Sequence, residues 1–369
     1  MRSTRINSLL AVFFVLTLLA SACSPSPAQP TATTSTSGNY PPPASTPAGS
    51  NPTQVVSSTS DAYPAQAGNP AGTAYPAQGT TPGSAYPGPS SGEITLLDGL
   101  NRMVTLPGPA QKIVSLAPSN TELLYEVGAG SQVIGRDEFS DFPADATALP
   151  SVGGSMGKYN LEAIAALKPD LVLAAQINTA AQVKSIQDLG LTVFYLNNPT
   201  DFNGLYQNIE TVGKLTGRSS DAASLVSSLK SRVQAVTDRL AGITTHPKVY
   251  YELDATDPAN PYTAGPGAYI DMLIKMAGGQ NIGDVLSSAY AQISSEQVIS
   301  ANPDFIILGD AAYGITVDSI AQRPGWADIA AVKDGHVSTF DDNTVSRPTA
   351  RMVDALENLA RLLHPEAFK

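Results

Sequence analysis

The apolar residues of this chain follow a pattern that is written twice. "LEAIAALKPDLVLAA", Leu161 to Ala175, and "SEQVISANPDFIILGD", Ser295 to Asp310, share one grammar. Each opens near a glutamate, Glu162 or Glu296, and carries two helical turns of periodic apolar residues. Each meets Pro-Asp seven residues after that glutamate and then breaks into a short continuous apolar run. Apolar spacing of three and four reads as helix. An unbroken run after a turn reads as a strand buried on both faces.

The segments ahead of the two copies match as well. "KIVSLAPSNTELLYEVGAGSQVIG" gives a strand, a loop through Pro118, a helix stopped by Gly128 and Gly130, and a second strand. "KVYYELDA" from Lys248 gives a strand, then a Pro- and Gly-rich loop from Asp257 to Gly267, the helix "AYIDMLIKM", Gly278-Gly279 and "QNIGD". Ser119 and Glu122 have capping-box spacing, and Asn160 and Ser294 stand where they can cap the glutamate-bearing helices. Strands alternating with helices imply parallel sheets covered on both faces. The pattern therefore predicts an α/β fold of two similar lobes.

Two further stretches complete the folded part. "ITLLDGLNRMVTL" reads as a hairpin around Asp98-Gly99. Asp201 to Thr216 carries helix-spaced Leu205, Ile209, Val212 and Leu215 and stops at Gly217. Ser219 or Ser220 can cap the next helix, which runs to about Ala241 with Leu225, Leu229, Val233, Val236 and Leu240 on one stripe. At 1.5 Å per residue such a helix spans about 33 Å, roughly the diameter of a small domain. A single long helix between lobes would restrict hinge motion. These signals divide the chain into an N-terminal lobe at 93–216, an inter-lobe helix at 217–244 and a C-terminal lobe at 245–369.

The residues before Glu93 have a different character. Arg2 and Arg5 precede an apolar stretch from Leu9 to Ala20, and Ala20-Ser21-Ala22 lead into Cys23. So short a stretch reads as a signal peptide over 1–22. Its ending resembles a bacterial lipobox, with Ala20 where leucine is commoner. Cys23 is the only cysteine, and lipid attachment accounts for both its position and its solitude. Residues 24 to 92 are almost all Pro, Ser, Thr, Ala, Gly, Asn, Gln and Tyr, with "AYPAQ" twice and "AYPG" once. This composition reads as a tether over 23–92, with a random-coil reach of roughly 45 Å. A cell-wall-binding or O-glycosylated stalk is the other reading.

Charge and chemistry narrow the function. Formal net charge is -11, which argues against nucleic acid as a partner. "GGSMG" matches a nucleophile-elbow pattern at Ser155, but "ALPSV" precedes it and no helix follows until Asn160. His246, His336 and His364 form no close pair in sequence, and no dinucleotide or Walker pattern occurs. Ligands of open α/β sheets bind outside the carboxyl ends of the strands. The loops there hold Pro118, Ser119, Asn120, Asp137, Glu138, Phe139, Met156, Tyr159 and Gln176 in the first lobe. The second contributes Tyr262, Tyr290, Tyr313 and Arg347. The aromatic residues among them suit a flat or bulky ligand.

"KIVSLAPSNTELLYEVGAG", "LPSVGG", "NLEAIAALKPDLVLA" and "AGGQNI" resemble, in this order, the substrate-binding proteins of cobalamin and ferric-siderophore ABC importers. The resemblance covers roughly Glu93 to Lys369. It implies two Rossmann-like lobes joined by one rigid helix, a shallow cleft between them, and no enzymatic activity. "SLAPSNTELL" is most similar to the cobalamin-binding members, in which Phe139, Tyr262, Tyr290 and Arg347 match ligand-contacting positions. Several of those proteins stack tryptophans on the corrin, whereas the only tryptophan here, Trp326, lies elsewhere.

The same resemblance implies one acidic residue per lobe, Glu162 and Glu296, presented to arginines of a permease dimer. A glutamate in a first helical turn is also favoured by the helix dipole alone. The expectation is a monomeric, lipid-anchored binding protein on the outer face of the cytoplasmic membrane. Its ligand would be cobalamin or a similar corrinoid, with a ferric siderophore or other metal chelate as the alternative. Any cobalt or iron would belong to the ligand, and no cofactor or metal site of the protein's own is expected. A surface adhesion or signalling module is the alternative of a different class.

Overall fold

A computed structural model describes residues 92–369. The leader, Cys23 and nearly all of the tether lie outside the described residues. The chain enters through an antiparallel hairpin, β1 (Ile94–Leu97) and β2 (Met103–Leu106), as Asp98-Gly99 implies. The first lobe then runs β3 (Ile113–Ser115), α1 (Pro118–Glu126), β4 (Val133–Arg136), α2 (Leu161–Leu167), β5 (Leu171–Ala175), α3 (Ala180–Gln187) and β6 (Val193–Leu196). Its four strands pair in the order β4-β3-β5-β6, all parallel.

Two helices follow, α4 (Phe202–Thr216) and α5 (Ser219–Leu240). α4 is capped by Asp201 and closed by Gly217 in the left-handed region. The N-cap position of α5 is Arg218, so Ser219 and Ser220 are within the helix and neither caps it. The 22 residues of α5 pack on α4 on one side and on the last helix of the chain on the other.

The second lobe comprises β7 (Lys248–Asp254), β8 (Tyr262–Ala264), α6 (Tyr269–Met276), β9 (Gln280–Asn281), β10 (Tyr290–Gln292), α7 (Ser295–Ala301) and β11 (Phe305–Leu308). It ends with α8 (Val317–Ile320), α9 (Ala330–Lys333), β12 (Val337–Thr339), α10 (Asn343–Ser346) and α11 (Arg351–Leu363). β9, β7, β11 and β12 are parallel, as the alternation predicts. β8 and β10 add an antiparallel edge, so the "loop" from Asp257 to Gly267 contains a strand. Three residues between Pro261 and Gly265 are too few to show a period. Pairing with β7 and β10 decides their conformation.

Both central sheets are covered on both faces, which is why their strands read as unbroken apolar runs. Leu171 and Leu173 of β5 join the core shared with α4, α5 and α11, while Val172 and Ala174 pack under α2 and α3. In β11, Phe305 and Ile307 join that same shared core, while Ile306 and Leu308 meet Tyr250 and the fully buried Trp326. One continuous core therefore runs through both lobes and the helices that connect them.

The repeated Pro-Asp also has a structural reason. Asp170 accepts from the backbone N–H of Gln111 (2.8 Å) and Lys112 (3.0 Å), and its own N–H donates to the Lys112 carbonyl. Asp304 does the same to Lys248 (2.7 Å), again with a return bond to its carbonyl. Each aspartate thus clamps the start of the first strand of its lobe to the strand that follows. The preceding helix in each copy ends on a left-handed residue, Lys168 (φ 50°) or Asn302 (φ 47°). The two copies agree down to this backbone turn.

Candidate functional site

A recess of about 190 Å³ opens between the lobes at the carboxyl ends of the first-lobe strands. From the first lobe, Ala117, Pro118 and Ser119 line it with Ala175, Ile177 and Asn198. Ser346, Arg347 and Pro348 close it from the second lobe. Pro118 occupies the first position of α1, where its fixed φ is pre-organised and its missing N–H costs nothing. It starts the helix before Ser119, so the Ser119–Glu122 capping box does not form and this helix end carries no side-chain cap. The positive end of α1 therefore faces the recess with no side-chain acceptor of its own on the first turn.

The other sequence-selected residues divide into those that present surface and those that hold loops. Phe139 (53% exposed), Tyr262 (44%) and Tyr290 (50%) present surface. The register of β8 with β10 pairs Tyr290 with Ala264 and Gln292 with Tyr262, so both tyrosines stand on one face of the edge ribbon. Partial burial and the nearby Asp342 carboxylate push the Tyr290 phenol above its ordinary pKa. Tyr313 is almost fully exposed.

Tyr159 and Gln176 hold loops. The Tyr159 hydroxyl donates to the Leu116 carbonyl (2.9 Å) and accepts from Asn178 Nδ2 (2.7 Å). Gln176 Oε1 accepts from the Asn198 amide (3.1 Å). Asn120 is buried and donates to the Leu173 carbonyl, and buried Asp137 accepts from the Phe139 amide and Ser140. Met156 sits in the turn Ser155–Gly157. That turn follows Gly153 (φ +87°), where an added Cβ would lie 2.8 Å from the Lys158 carbonyl oxygen. The glycines of "GGSMG" are needed by this turn, and Ser155 does not stand on a strand-to-helix elbow.

Arg347 is engaged more strongly than its sequence position suggests. Its guanidinium bridges Glu122 (3.0 Å) and Asp141 (2.6 Å), both from the first lobe. Arg351 joins the same Glu122 (3.2 Å) and also binds Asp341 (2.8 Å). The Thr349 hydroxyl donates to the second Glu122 oxygen (3.0 Å), so this fully buried carboxylate has three partners across the lobe boundary. Burial raises the Glu122 pKa despite the two arginines. One turn along α1, Glu126 accepts from the Ala350 amide at the start of α11 (3.1 Å). Burial pushes Glu126 up to about 7, and the neighbouring Glu122 charge adds to this. Glu122, Glu126, Asp141, Thr349 and Arg351 carry no site signal in the sequence, because their partners across the lobe boundary lie more than 200 positions away.

Glu162 and Glu296 are exposed, and neither has an ion-pair partner among the described residues. Asn160 Oδ1 caps the first helix through the Ala163 amide (2.9 Å), and Ser294 caps the second in a full capping box with Gln297. With those ends already satisfied, neither glutamate is needed as a cap. An apolar groove of about 390 Å³, lined by Ile282, Val285 and Ile293, runs beside Glu296. Among the described residues no group of histidine, cysteine, aspartate and glutamate is arranged to hold a metal ion.

The inter-lobe recess is smaller than the roughly 300–1,000 Å³ of ordinary enclosed ligand sites. A larger hollow of about 490 Å³, floored by Phe202 and Tyr206, lies between α4, α5 and α6. It faces no strand ends, where ligands of such sheets bind.

Residues 113–344 match the family described as periplasmic binding protein. The chain is 30% identical over 279 residues to an uncharacterized ABC transporter substrate-binding lipoprotein, YvrC, of Bacillus subtilis (strain 168), covering 75% of this chain and 87% of that one. It is 31% identical over 278 residues to a cobalamin-binding protein of Halobacterium salinarum, covering 73% and 74%. Among solved structures, the periplasmic heme-binding protein RhuT of Roseiflexus sp. RS-1 superposes with a TM-score of 0.62 at 26% identity, over 70% of this chain and 99% of that one.

Proposed function

Since the chain belongs to the periplasmic binding protein family, whose members are binding proteins rather than enzymes, we propose that it captures a corrinoid for an ABC importer. The observation that supports this most is the cleft itself. Its floor at the strand ends is shallow and largely uncharged, and in this reading exposed Phe139 from one lobe and the Tyr262/Tyr290 face from the other flank it. Flat faces of this kind suit a macrocycle, and similarity to a cobalamin-binding protein supports a corrinoid among macrocycles. The second reading is a haem-type or other iron chelate, favoured by the likeness to the heme-binding structure.

In this proposal Cys23 carries the lipid anchor and residues 24–92 act as the tether. That places the lobes at the outer face of the cytoplasmic membrane as a monomer. Glu162 and Glu296 dock onto the two permease subunits, one carboxylate per lobe. The support is that both are exposed, unpaired and at equivalent positions of the repeat, while other side chains cap their helices.

The test is uptake of labelled cobalamin into vesicles containing the cognate importer. The Glu162→Arg, Glu296→Arg double variant should fold and bind ligand as the parent does, yet fail to support uptake, because arginine sets like charges together at both contacts. As helix-end charges alone, the two glutamates would be worth about 0.3–1 kcal/mol each to their own lobes and nothing to transport. Normal uptake by a folded double variant would remove the docking role.

A further inference from the structure

We propose that the cleft discriminates against negatively charged chelates, and that Asp141 enforces this by balancing the charge of Arg347 at the lobe boundary. The inference rests on the reading of the cleft as a metal-chelate site. Arg347 and Arg351 are the guanidinium groups at the lobe boundary, with side chains 14% and 16% exposed. Each is already bound to two carboxylates, Glu122 and Asp141 for the first, Glu122 and Asp341 for the second. Arg136, on the same first-lobe face, donates from Nη1 and Nη2 to the carbonyls of Asp137, Glu138 and Thr147, and its Nε is buried. Lys158 is exposed beside Tyr159, and exposed Glu138 lies on the adjoining loop, where its N–H donates to the Gly153 carbonyl. Asp342 adds a further carboxylate near Tyr290.

The members of this cluster differ in how easily they yield. Glu122 is fully buried and keeps Arg351 and Thr349 if Arg347 leaves. Asp141 is 62% exposed, stands at the rim, and has Arg347 as its ion-pair partner at 2.6 Å. Glu122 and Asp141 both bind Arg347 through Nη1, so an anionic ligand reaching for the rest of this guanidinium meets the Asp141 carboxylate beside it and a positive charge that is already balanced. Asp341, 54% exposed on the other arginine, repeats the obstacle. A neutral amide or carbonyl oxygen meets no such repulsion; the uncapped first turn of α1 is open to neutral and anionic acceptors alike, so the rim carboxylates set the difference between them. Discrimination of this kind comes from the repulsive element more than from any added attraction.

The experiment compares matched ligands that differ only in charge. One pair is a corrin heptaamide and the corresponding corrin heptacarboxylic acid; the other is the dimethyl ester of haem and haem itself. Dissociation constants are measured on the parent and on Asp141→Asn, with Asp141→Ser as a second variant, at low and high salt. The parent should bind the uncharged member at least tenfold more tightly in whichever pair it accepts, and salt should narrow the gap by screening. Both variants should narrow it at least threefold by strengthening the carboxylated member, with the uncharged member unchanged. Equal or tighter binding of the carboxylated member by the parent overturns the inference while leaving the chelate reading intact. So does a gap that neither variant moves. If no member of either pair binds, the chelate reading fails and the inference falls with it.

Discussion

Removing the buried carboxylate at the lobe boundary should cost the protein a large part of its stability. Glu122 has no exposed side-chain surface and accepts from Arg347 at 3.0 Å, Arg351 at 3.2 Å and Thr349 at 3.0 Å. In Glu122→Ala the two arginines keep only Asp141 and Asp341, which are more than half exposed and worth little on their own. Stranding one side of a buried ion pair typically costs about 3–5 kcal/mol. In a protein of this size each kcal/mol moves the melting midpoint by roughly 2–4 °C, so the variant should melt about 6–20 °C below the parent. Because one core runs through both lobes, the loss should appear in a single transition of both near- and far-ultraviolet circular dichroism. The combined replacement Glu122→Leu, Arg347→Met, Arg351→Met should recover most of it, since an apolar set spares three desolvated charges. A Glu122→Ala midpoint within about 2 °C of the parent would show that the cluster does not fasten the lobes.

The Pro-Asp clamps predict a pair of equal and independent losses. Asp170→Ala and Asp304→Ala should each cost about 1–3 kcal/mol, add within about 0.5 kcal/mol in the double variant, and raise amide exchange at Lys112 or Lys248 respectively. Strong non-additivity or unchanged exchange would refute the clamp. Glu126 predicts a pH dependence. Its folded pKa of about 7 lies above its ordinary 4.5, so the folded state holds the extra proton between these values and stability falls as pH rises through them. Full linkage would be about 3 kcal/mol, and the partial exposure of the carboxyl reduces it to about 1–2. Glu126→Gln, which can still accept from the Ala350 amide, should therefore match the parent near pH 4.5 and exceed it above pH 7. Asp310, raised to about 6 by burial and by Glu252, contributes in the same direction and should persist in the variant. A parent-to-variant difference that is constant with pH would contradict the assignment.

Much of this fold is legible in the sequence because its signals are local. The two copies of the Glu-helix, Pro-Asp and apolar run are set by helix period, by left-handed ends at Lys168 and Asn302, and by strands with both faces buried. The likeness of the lobes follows from those copies alone. What is not legible depends on distant partners. Glu122 has capping-box spacing from Ser119, but Pro118 starts the helix earlier and arginines 225 and 229 residues on claim the carboxylate. β8 and β10 are three residues each and exist through their pairing. The candidate cleft shows the same division. Pro118, Ser119 and Arg347 line the recess and Phe139, Tyr262 and Tyr290 are exposed, whereas the polar ends of Tyr159 and Gln176 are spent on neighbouring loops. Residue type and loop position identify which side chains can reach a cleft. They do not show which are already bonded.

Calorimetric titration of the purified protein with cyanocobalamin, alongside haem and a ferric hydroxamate siderophore, tests the central claim most directly. The account predicts saturable one-to-one binding of cyanocobalamin, tighter than either alternative and accompanied by a rise in melting temperature with ligand concentration. In the same titration Tyr290→Ala should weaken binding by about 1–3 kcal/mol, roughly 5- to 150-fold, from the lost aromatic surface. No heat and no thermal shift with cyanocobalamin, together with saturable binding of haem or the siderophore, would contradict the corrinoid assignment.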